Sequence, residues 1–264
     1  MTIPTSLGRV SPNAIRIPVA PNHLAQPPQP QATGPRRQVN ISSLRPDGSI
    51  AQTRRVVPMT PLFDEAFLAL AHGSLIDTPN GPVAIEDLQP GDTVSSASGD
   101  TQTILWKGST LIVPGRPDGA GHRQTLTRIM ADSFGLQRPM GCVVAGSAAR
   151  LLHTPAHLRV RMGDVRILTP VRDCVDGMSV IETAPPTPVE LFHICLSRHA
   201  LIRVAGLDFE TYHPGNQLRH MTDKVVRDQF LDLFPHIRRA NDFGPLCHPR
   251  SSTRDDEFAA KASA

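Results

Sequence analysis

Prolines and glycines are spread along the whole sequence, and their spacing limits how long any regular element can be. The chain has 26 prolines and 19 glycines among its 264 residues, so an interrupting residue occurs about every six positions. Helical bundles need longer uninterrupted segments, whereas strands of about four to nine residues fit this spacing. The pattern therefore predicts an all-β fold built from short strands.

Strand-sized apolar pieces separated by turn sequences fill the middle of the chain, from residue 73 onward. The turns at 79–82 (PNGP), 89–92 (QPGD) and 163–164 (GD) separate apolar runs such as those at 101–113 and 189–197. Each turn contains glycine beside proline, asparagine or aspartate, which are the residues that tight turns favour. This succession is typical of a β-meander.

The N-terminal part of the sequence differs from this middle part. Residues 1–60 contain seven arginines, ten prolines, no aromatic residue and one acid, Asp47. Such a composition buries too little apolar surface to offset the entropy lost on ordering. We predict a disordered, basic, proline-rich arm over residues 1–60. It is either a solvated linker or a contact for an acidic partner or a membrane surface.

A C-terminal extension follows the β domain, which we place at residues 61–215. Within the extension, residues 216–248, the stretch 223–234 follows a threonine, precedes a proline and has apolar side chains on one helical face. Those side chains are Val226, Phe230, Leu233 and Phe234. The pattern predicts a helix docked on the β domain, followed by a disordered tail over residues 249–264.

Several classes of function are disfavoured by what the sequence lacks. It has no glycine-rich phosphate loop, its four cysteines form no CxxC pair, and its net charge of +3 is too small for a nucleic-acid coat. No apolar run approaches the ~18 residues of a membrane span, and no secretory signal is present. We therefore expect no nucleic-acid partner, transmembrane segment or cofactor. We expect the partner to be a protein that the sequence does not identify. The default location is cytoplasmic, and export without a cleavable signal is the alternative.

Histidines cluster in the second half of the chain and are the main candidates for metal binding. His153 and His157 have the spacing of a helical zinc pair, but Pro155 between them excludes a continuous helix. His193 and His199 would lie about 20 Å apart on one continuous strand, so they can share a metal only if the chain turns between them. We predict no metal site.

One further pair of side chains could act on a backbone amide. Thr154 supplies a hydroxyl and His157 an imidazole three residues later, and together such groups can twist and polarise a peptide bond, as an acyl shift requires. The alternative is a turn in which Thr154 caps the following strand. The pair alone does not decide between these interpretations.

The order of motifs over residues 68–94 resembles the opening of Hint domains, the hedgehog/intein self-processing family, and especially their bacterial branch. The matching motifs are Gly73-Ser74, the Thr-Pro-Asn-Gly turn at 78–81, Ile-Glu-Asp-Leu at 85–88, and Gly91-Asp92. Three later blocks agree with the family pattern, namely the Trp-containing strand at 104–108, the Thr-x-x-His block at 154–157, and the final paired strands at 192–215. The resemblance implies a horseshoe-like all-β fold with two pseudo-symmetric halves.

The resemblance also implies a self-processing reaction, in which an acyl group moves from the backbone nitrogen of the first domain residue onto its side chain. Thr154 and His157 would polarise the scissile amide. However, Ala69 stands where the family has its nucleophilic cysteine, and Glu210-Thr211 replaces the His-Asn pair that ends inteins. The sequence therefore predicts a degenerate Hint module that binds or targets rather than cleaves.

Active autoprocessing is the alternative hypothesis. Ser74 or Thr154 would then attack a nearby carbonyl, and a hydroxyl near its free pKa would need His72 or His157 as a base within hydrogen-bond reach. His199 is a further candidate for a catalytic role.

Overall fold

The computed structural model describes residues 34–153 and 166–251. Within them the chain forms fifteen β-strands, two short α-helices and two 3-10 helices. The all-β fold that the proline and glycine spacing predicts is confirmed. Neither α-helix in this part of the chain has the length and apolar character of a membrane span.

The strands and helices have the following bounds. The first eight strands are β1 (Arg36–Leu44), β2 (Ile50–Pro58), β3 (Leu70–Ala71), β4 (Leu75–Thr78), β5 (Gly81–Ala84), β6 (Thr93–Ser95), β7 (Thr101–Ile112) and β8 (Leu126–Ile129). The remaining strands are β9 (Val143–Ala145), β10 (Arg150–Leu152), β11 (Leu168–Pro170), β12 (Val180–Thr183), β13 (Val189–Leu196), β14 (Leu201–Val204) and β15 (Leu207–Glu210). The α-helices are α1 (Pro61–Asp64) and α2 (Lys224–Leu231), and the 3-10 helices are Val171–Cys174 and Ala240–Phe243.

The strands form two antiparallel sheets. The larger sheet has the order β12-β8-β9-β3-β13-β7-β1-β2, with β6 also paired to β7, and the smaller has the order β11-β10-β15-β14-β4-β5. The long strands β7 and β13 pair from Ile112↔Val189 to Trp106↔Cys195, after which the register shifts. The short strand β3 pairs with both β9 and β13, which places the start of the matched motif region inside the larger sheet.

The predicted disorder of residues 1–60 is wrong for residues 36–58. Strands β1 and β2 form a hairpin, and β1 pairs with β7, so the hairpin extends the larger sheet. Alternate residues of β1 are buried, and Val39 and Ile41 pack in the core. The low apolar content of residues 1–60 wrongly predicted disorder here, because an antiparallel strand needs only one apolar face, which these two side chains supply. Residues 1–33 lie outside the described residues.

A core cluster around Trp106 joins the hairpin, the β domain and the C-terminal extension. The indole of Trp106 is fully buried, its ring centroid lies 4.6 Å from that of Phe234 and 5.7 Å from that of Phe67, and its Nε1–H donates to the Leu233 carbonyl at 2.6 Å. Gly108 is required beside it, because a Cβ there would meet the Trp106 ring and lie 2.7 Å from the Phe67 ring. These contacts hold three sequence segments in one core.

The predicted C-terminal helix is present as α2. Asp223 caps it by accepting hydrogen bonds from the Val225 and Val226 amides, and Phe230, Leu233 and Phe234 are buried as the periodicity predicts.

The predicted disordered tail over 249–264 is wrong for its first residues. The Leu168 amide donates to the Pro249 carbonyl at 2.8 Å, and the Ser251 amide donates to the Leu168 carbonyl at 2.9 Å. This pairing orders the segment beside β11, which local composition does not reveal. Residues 252–264 lie outside the described residues.

Candidate functional site

The peptide bond between Leu68 and Ala69 lies where the chain enters β3. The Leu68 carbonyl accepts a hydrogen bond from the Ala148 amide at 2.8 Å, and the Ala69 carbonyl accepts one from the Gly146 amide at 2.7 Å. A Cβ at Gly146 would collide with the Leu68 carbonyl and would lie 2.6 Å from the Leu191 side chain. Glycine at 146 therefore allows the loop after β9 to approach the junction closely.

Ala69 itself is buried, with 2% of its surface exposed. Its methyl group has no lone pair and cannot attack a carbonyl carbon. The Ala148 amide, by contrast, points at the Leu68 carbonyl oxygen, where negative charge would develop during attack on that carbonyl. The junction thus has a backbone donor for an oxyanion and no nucleophile at residue 69.

Ser74, the alternative nucleophile, takes part in a turn. Its hydroxyl donates to the Ala71 carbonyl at 2.6 Å. Glu86 accepts a hydrogen bond from the Gly73 amide at 2.9 Å and lies 3.3 Å from Nδ1 of His72. The nearby imidazole is therefore engaged by a carboxylate and the hydroxyl by a carbonyl, so this arrangement fixes the turn and does not join Ser74 to a base.

Thr154 and His157, the predicted amide-polarising pair, lie outside the described residues, as does the 163–164 turn. The preceding strand β10 pairs with β11 and β15 in the smaller sheet, and the Thr169 hydroxyl of β11 donates to the His153 carbonyl at 2.7 Å. The role of Thr154 and His157 stays a prediction.

His199 lies in the turn between β13 and β14, so the chain does turn between His193 and His199. The His199 side chain is 1% exposed, and its Nε2 lies 3.1 Å from Oε1 of Glu210. Its Nδ1 accepts a hydrogen bond from the Cys247 amide at 3.0 Å. Because both ring nitrogens are engaged, His199 holds Glu210 and the C-terminal segment in place and offers no free base in this arrangement.

Glu210 is the centre of a buried charge network. Arg250 Nε lies 3.0 Å and 3.1 Å from its two carboxylate oxygens, and Arg150 Nε lies 3.6 Å from Oε2. Arg150 also reaches Glu65, at 3.7 Å. Burial acts to raise the pKa of Glu210, but the hydrogen bond from His199 and the charge of Arg250 outweigh it and keep the pKa below its ordinary value. Glu210 is therefore ionised at neutral pH.

Sequence reasoning identified few members of this network. It singled out His199, and it noted Glu210 only as a replacement for the terminal residue of inteins. Arg250 falls in the predicted tail, Arg150 at a strand start and Glu65 beside a short helix. The available signal was the two acids of strand β15, Asp208 and Glu210, because a buried carboxylate requires a cationic partner from elsewhere in the chain.

Two further histidines lie beside the network in buried, uncharged form. Nδ1 of His193 lies 2.9 Å from the Glu65 carbonyl, and its ring packs edge-on against Tyr212 with centroids 5.2 Å apart. His213 accepts from the Gly215 amide at 2.9 Å, and its Nε2 lies 3.0 Å from the Gly244 carbonyl. Burial lowers the pKa of both histidines to about 4. Neither is a proton carrier at neutral pH.

Two surface clefts border these groups. A cleft of about 330 Å³ lies next to the Ser74 turn and includes His72, Cys142 and Met140, and a second of about 350 Å³ is lined by His199, Asp100, Arg166 and Arg198. Cys247 also lines the second cleft, but burial raises the pKa of its thiol to about 11. Across residues 34–153 and 166–251, no three His, Cys, Asp or Glu side chains are placed to hold a metal ion.

Comparison with known proteins gives a family match and several similar solved structures. The model of the Hint domain family matches residues 68–216. Among solved structures, a bacterial intein-like domain from Clostridium thermocellum matches with 12% identity and a TM-score of 0.39, covering 55% of this chain and 99% of that one. The MchDnaB-1 intein matches with 15% identity and a TM-score of 0.32, covering 55% and 100%.

A third solved structure, the Msm DnaB1 intein splicing domain bound with zinc, matches with 13% identity and a TM-score of 0.31, again covering 55% and 100%. No curated protein matches the chain.

Proposed function

The chain belongs to the Hint domain family, and from that premise we propose that it is a Hint domain that keeps its Leu68–Ala69 bond intact and acts as a binding module. The observation that carries this proposal is Ala69, a buried methyl side chain at the position that the motif order assigns to the nucleophile of the family's reaction. Without a thiol or hydroxyl at this residue, the acyl group of Leu68 has no adjacent acceptor.

The packing of the chain before the junction also supports a binding role. Phe63 and Phe67 are buried, and both belong to the Trp106 core cluster together with Val39 and Ile41 of β1. Cleavage at the junction would therefore leave the upstream segment attached through a strand pairing and a hydrophobic core. Such a segment is part of the folded body rather than a cargo to be released.

The remaining chemistry of the site is proposed to be vestigial. Thr154 and His157 would still polarise the Leu68–Ala69 amide, and the Ala148 amide already donates to the Leu68 carbonyl. On this view only the attacking atom is missing. The prediction that follows is that a thiol at residue 69 restores the first step of the reaction.

Intact mass spectrometry of the purified full chain tests the proposal directly. We expect one species at the full sequence mass of 28.6 kDa, unchanged after prolonged incubation with a thiol such as dithiothreitol. A fragment that begins near Ala69 or Ser74 would contradict the proposal and support autoprocessing through Ser74 or Thr154.

The variant Ala69→Cys tests whether the frame around the junction is competent. We expect thiol-induced cleavage between Leu68 and residue 69, because the new sulfur can accept the Leu68 acyl group to form a thioester. Ala71→Cys is the matched control, since Ala71 is equally buried on β3 and is two residues from the junction.

A third variant isolates the predicted role of His157. In the Ala69→Cys background, His157→Ala should slow cleavage by about a hundredfold, the typical contribution of one positioned proton donor. If a folded Ala69→Cys protein releases no fragment, the frame is not competent. Equal cleavage with and without His157 would show that this imidazole does not polarise the junction.

A further inference from the structure

The N-terminal hairpin leaves one strand of the larger sheet with an open edge. Among residues 34–153 and 166–251, strand β2 is the last strand of that sheet and pairs only with β1. We propose that the free edge of β2 binds an extended acidic segment of a partner protein, which adds to the sheet as a further strand. This inference names the partner class for the proposed binding role and concerns a strand that lies before the matched residues 68–216.

The backbone of β2 presents donors along this edge. The Arg45 amide donates to the Ser49 carbonyl beside the turn, and the Met59 amide donates to the Pro35 carbonyl at the other end of the hairpin. With the register of the hairpin, these bonds show that its hydrogen-bonded pairs are the pairs of odd-numbered residues. In an antiparallel pair, residues between hydrogen-bonded pairs direct both backbone groups away from the partner strand. The outward amides therefore belong to residues 50, 52, 54 and 56. Pro58, which has no amide hydrogen, also falls in this outward series.

The side chains of the same strand are exposed and cationic. Residues 52–56 are solvent-exposed on both faces of the strand. Arg54 and Arg55 make no ion pair with any described residue, and Arg54 only donates from Nε to the Asn40 amide oxygen at 3.3 Å. The one acid of the hairpin, Asp47, instead accepts hydrogen bonds from the amide and hydroxyl of Ser49. Within the part of the chain that the structure describes, the edge thus combines unpaired backbone donors with unneutralised positive charge.

This charge selects among the strands that could add to the edge. A second copy paired antiparallel about residues 54–55 would place arginine opposite arginine, and directly opposed like charges destabilise a strand pair. Residues 1–33 contain two arginines and no acid, so they do not supply the opposite charge. Arginine on an edge discourages pairing with like-charged strands, and it favours an acidic one through charge-assisted cross-strand pairs.

The probe for this site is a fluorescein-labelled, strand-length peptide of alternating valine and glutamate, measured by fluorescence anisotropy with the full chain. Its counterpart has lysine in place of glutamate. We expect saturable binding of the acidic peptide and at least about tenfold weaker binding of the lysine peptide, because opposite charges across a strand pair attract and like charges repel. Equal binding of the two peptides would overturn the proposal.

Two variants separate backbone pairing from charge. Gln52→Pro removes an outward amide and keeps both arginines, whereas Gln52→Ala keeps the amide and is its control. The double variant Arg54→Glu with Arg55→Glu reverses the charge of the edge. Its control, Arg219→Glu with Arg227→Glu, makes the same change in net charge at a different cleft, beside α2. We expect the proline variant and the edge reversal each to weaken binding at least about fivefold, and both controls to bind as the native chain does.

The other outcomes identify different occupants. Binding that Gln52→Pro leaves unchanged would show a purely electrostatic surface, and equal competition by anionic phospholipid vesicles would indicate a membrane. Either result overturns the strand proposal, as does a dimer of the free protein that Gln52→Pro dissociates. A further test uses a chain that ends at Ser251 and so lacks the acidic run 255–257. If this shorter chain binds the peptide more than about tenfold more tightly than the full chain does, the acidic run occupies the edge instead. Intact mass reports separately on the junction, so failure of the peptide test leaves that proposal standing on its own data.

Discussion

Arg250 and Glu210 form a two-point ion pair in which the guanidinium Nε lies 3.0 Å and 3.1 Å from the two carboxylate oxygens. Arg250 also donates from Nη2 to the His213 carbonyl at 2.7 Å. The pair connects the segment after the C-terminal extension to the last strand of the Hint region. The Glu210 side chain is 4% exposed, so its charge depends on this contact.

Removal of Arg250 is expected to destabilise the fold. In Arg250→Ala the ionised Glu210 loses its closest cationic partner and keeps only Arg150 and His199, and removing one partner of a buried ion pair costs about 3 kcal/mol. Urea denaturation measures the change in the free energy of unfolding. The control is Arg198→Ala, which breaks the exposed pair with Asp100 and should cost less than about 1 kcal/mol. Equal effects of the two variants would refute the structural role of Arg250.

Acid is expected to lower the stability of the protein through its buried histidines. Burial lowers the pKa of His193, His213 and His236 from the ordinary 6.5 to about 4. Below pH 6.5 the unfolded chain therefore binds protons that the folded chain does not, so the free energy of unfolding falls as the pH drops from 6.5 toward 4. Denaturation at several pH values should show uptake of up to about three protons on unfolding from these side chains.

His236→Phe should reduce this uptake by about one proton, because burial lowers the pKa of His236 to about 4 and its Nδ1 has no hydrogen-bond partner among the described residues. The native chain, measured in parallel, is the control. An unchanged proton uptake in His236→Phe would contradict the assignment.

Gly108→Ala is expected to disrupt the Trp106 cluster. A Cβ at residue 108 would meet the Trp106 ring and lie 2.7 Å from the Phe67 ring, and overpacking a dense core costs about 2 kcal/mol. Gly141→Ala is the matched control, since no heavy atom of the described residues other than its chain neighbours lies within 4 Å of its added Cβ. Fluorescence of Trp106, the one tryptophan of the chain, reports the repacking during denaturation. A native-like midpoint for Gly108→Ala would contradict this close approach.

The hairpin is expected to contribute to the stability of the whole domain. Val39, Ile41 and Val57 pack in the Trp106 cluster, and each such buried side chain contributes about 1.5 kcal/mol or more. A chain beginning at Thr60 should therefore be less stable than one beginning at Gly34 by more than about 4 kcal/mol. Thermal unfolding compares the two. Equal melting temperatures would mean that β1 and β2 are dispensable for the fold.

Several elements were predictable because their signal is local. The turns around Gly81 and Gly91 separate short apolar runs, and these runs became β4 to β7. The helix α2 followed from a cap residue and one apolar face. The assignment of Ala69 to the nucleophile position comes from counting along an ordered set of motifs, and it stays a prediction. The motif order also named Ser74 as the alternative nucleophile. It does not specify that the Ser74 hydroxyl donates to the Ala71 carbonyl.

By itself, the sequence determined the short antiparallel strands, the family and the alanine at residue 69, because turn residues, periodicity and motif order act over a few positions. Only the tertiary structure decided that β1 of the 36–58 hairpin pairs with β7, that Arg250 pairs with Glu210, and that the Ala148 amide reaches the Leu68 carbonyl. Each of these contacts joins residues about 40 to 80 positions apart. Their free energy comes from burial and charge pairing that exist only once the separate segments have packed together.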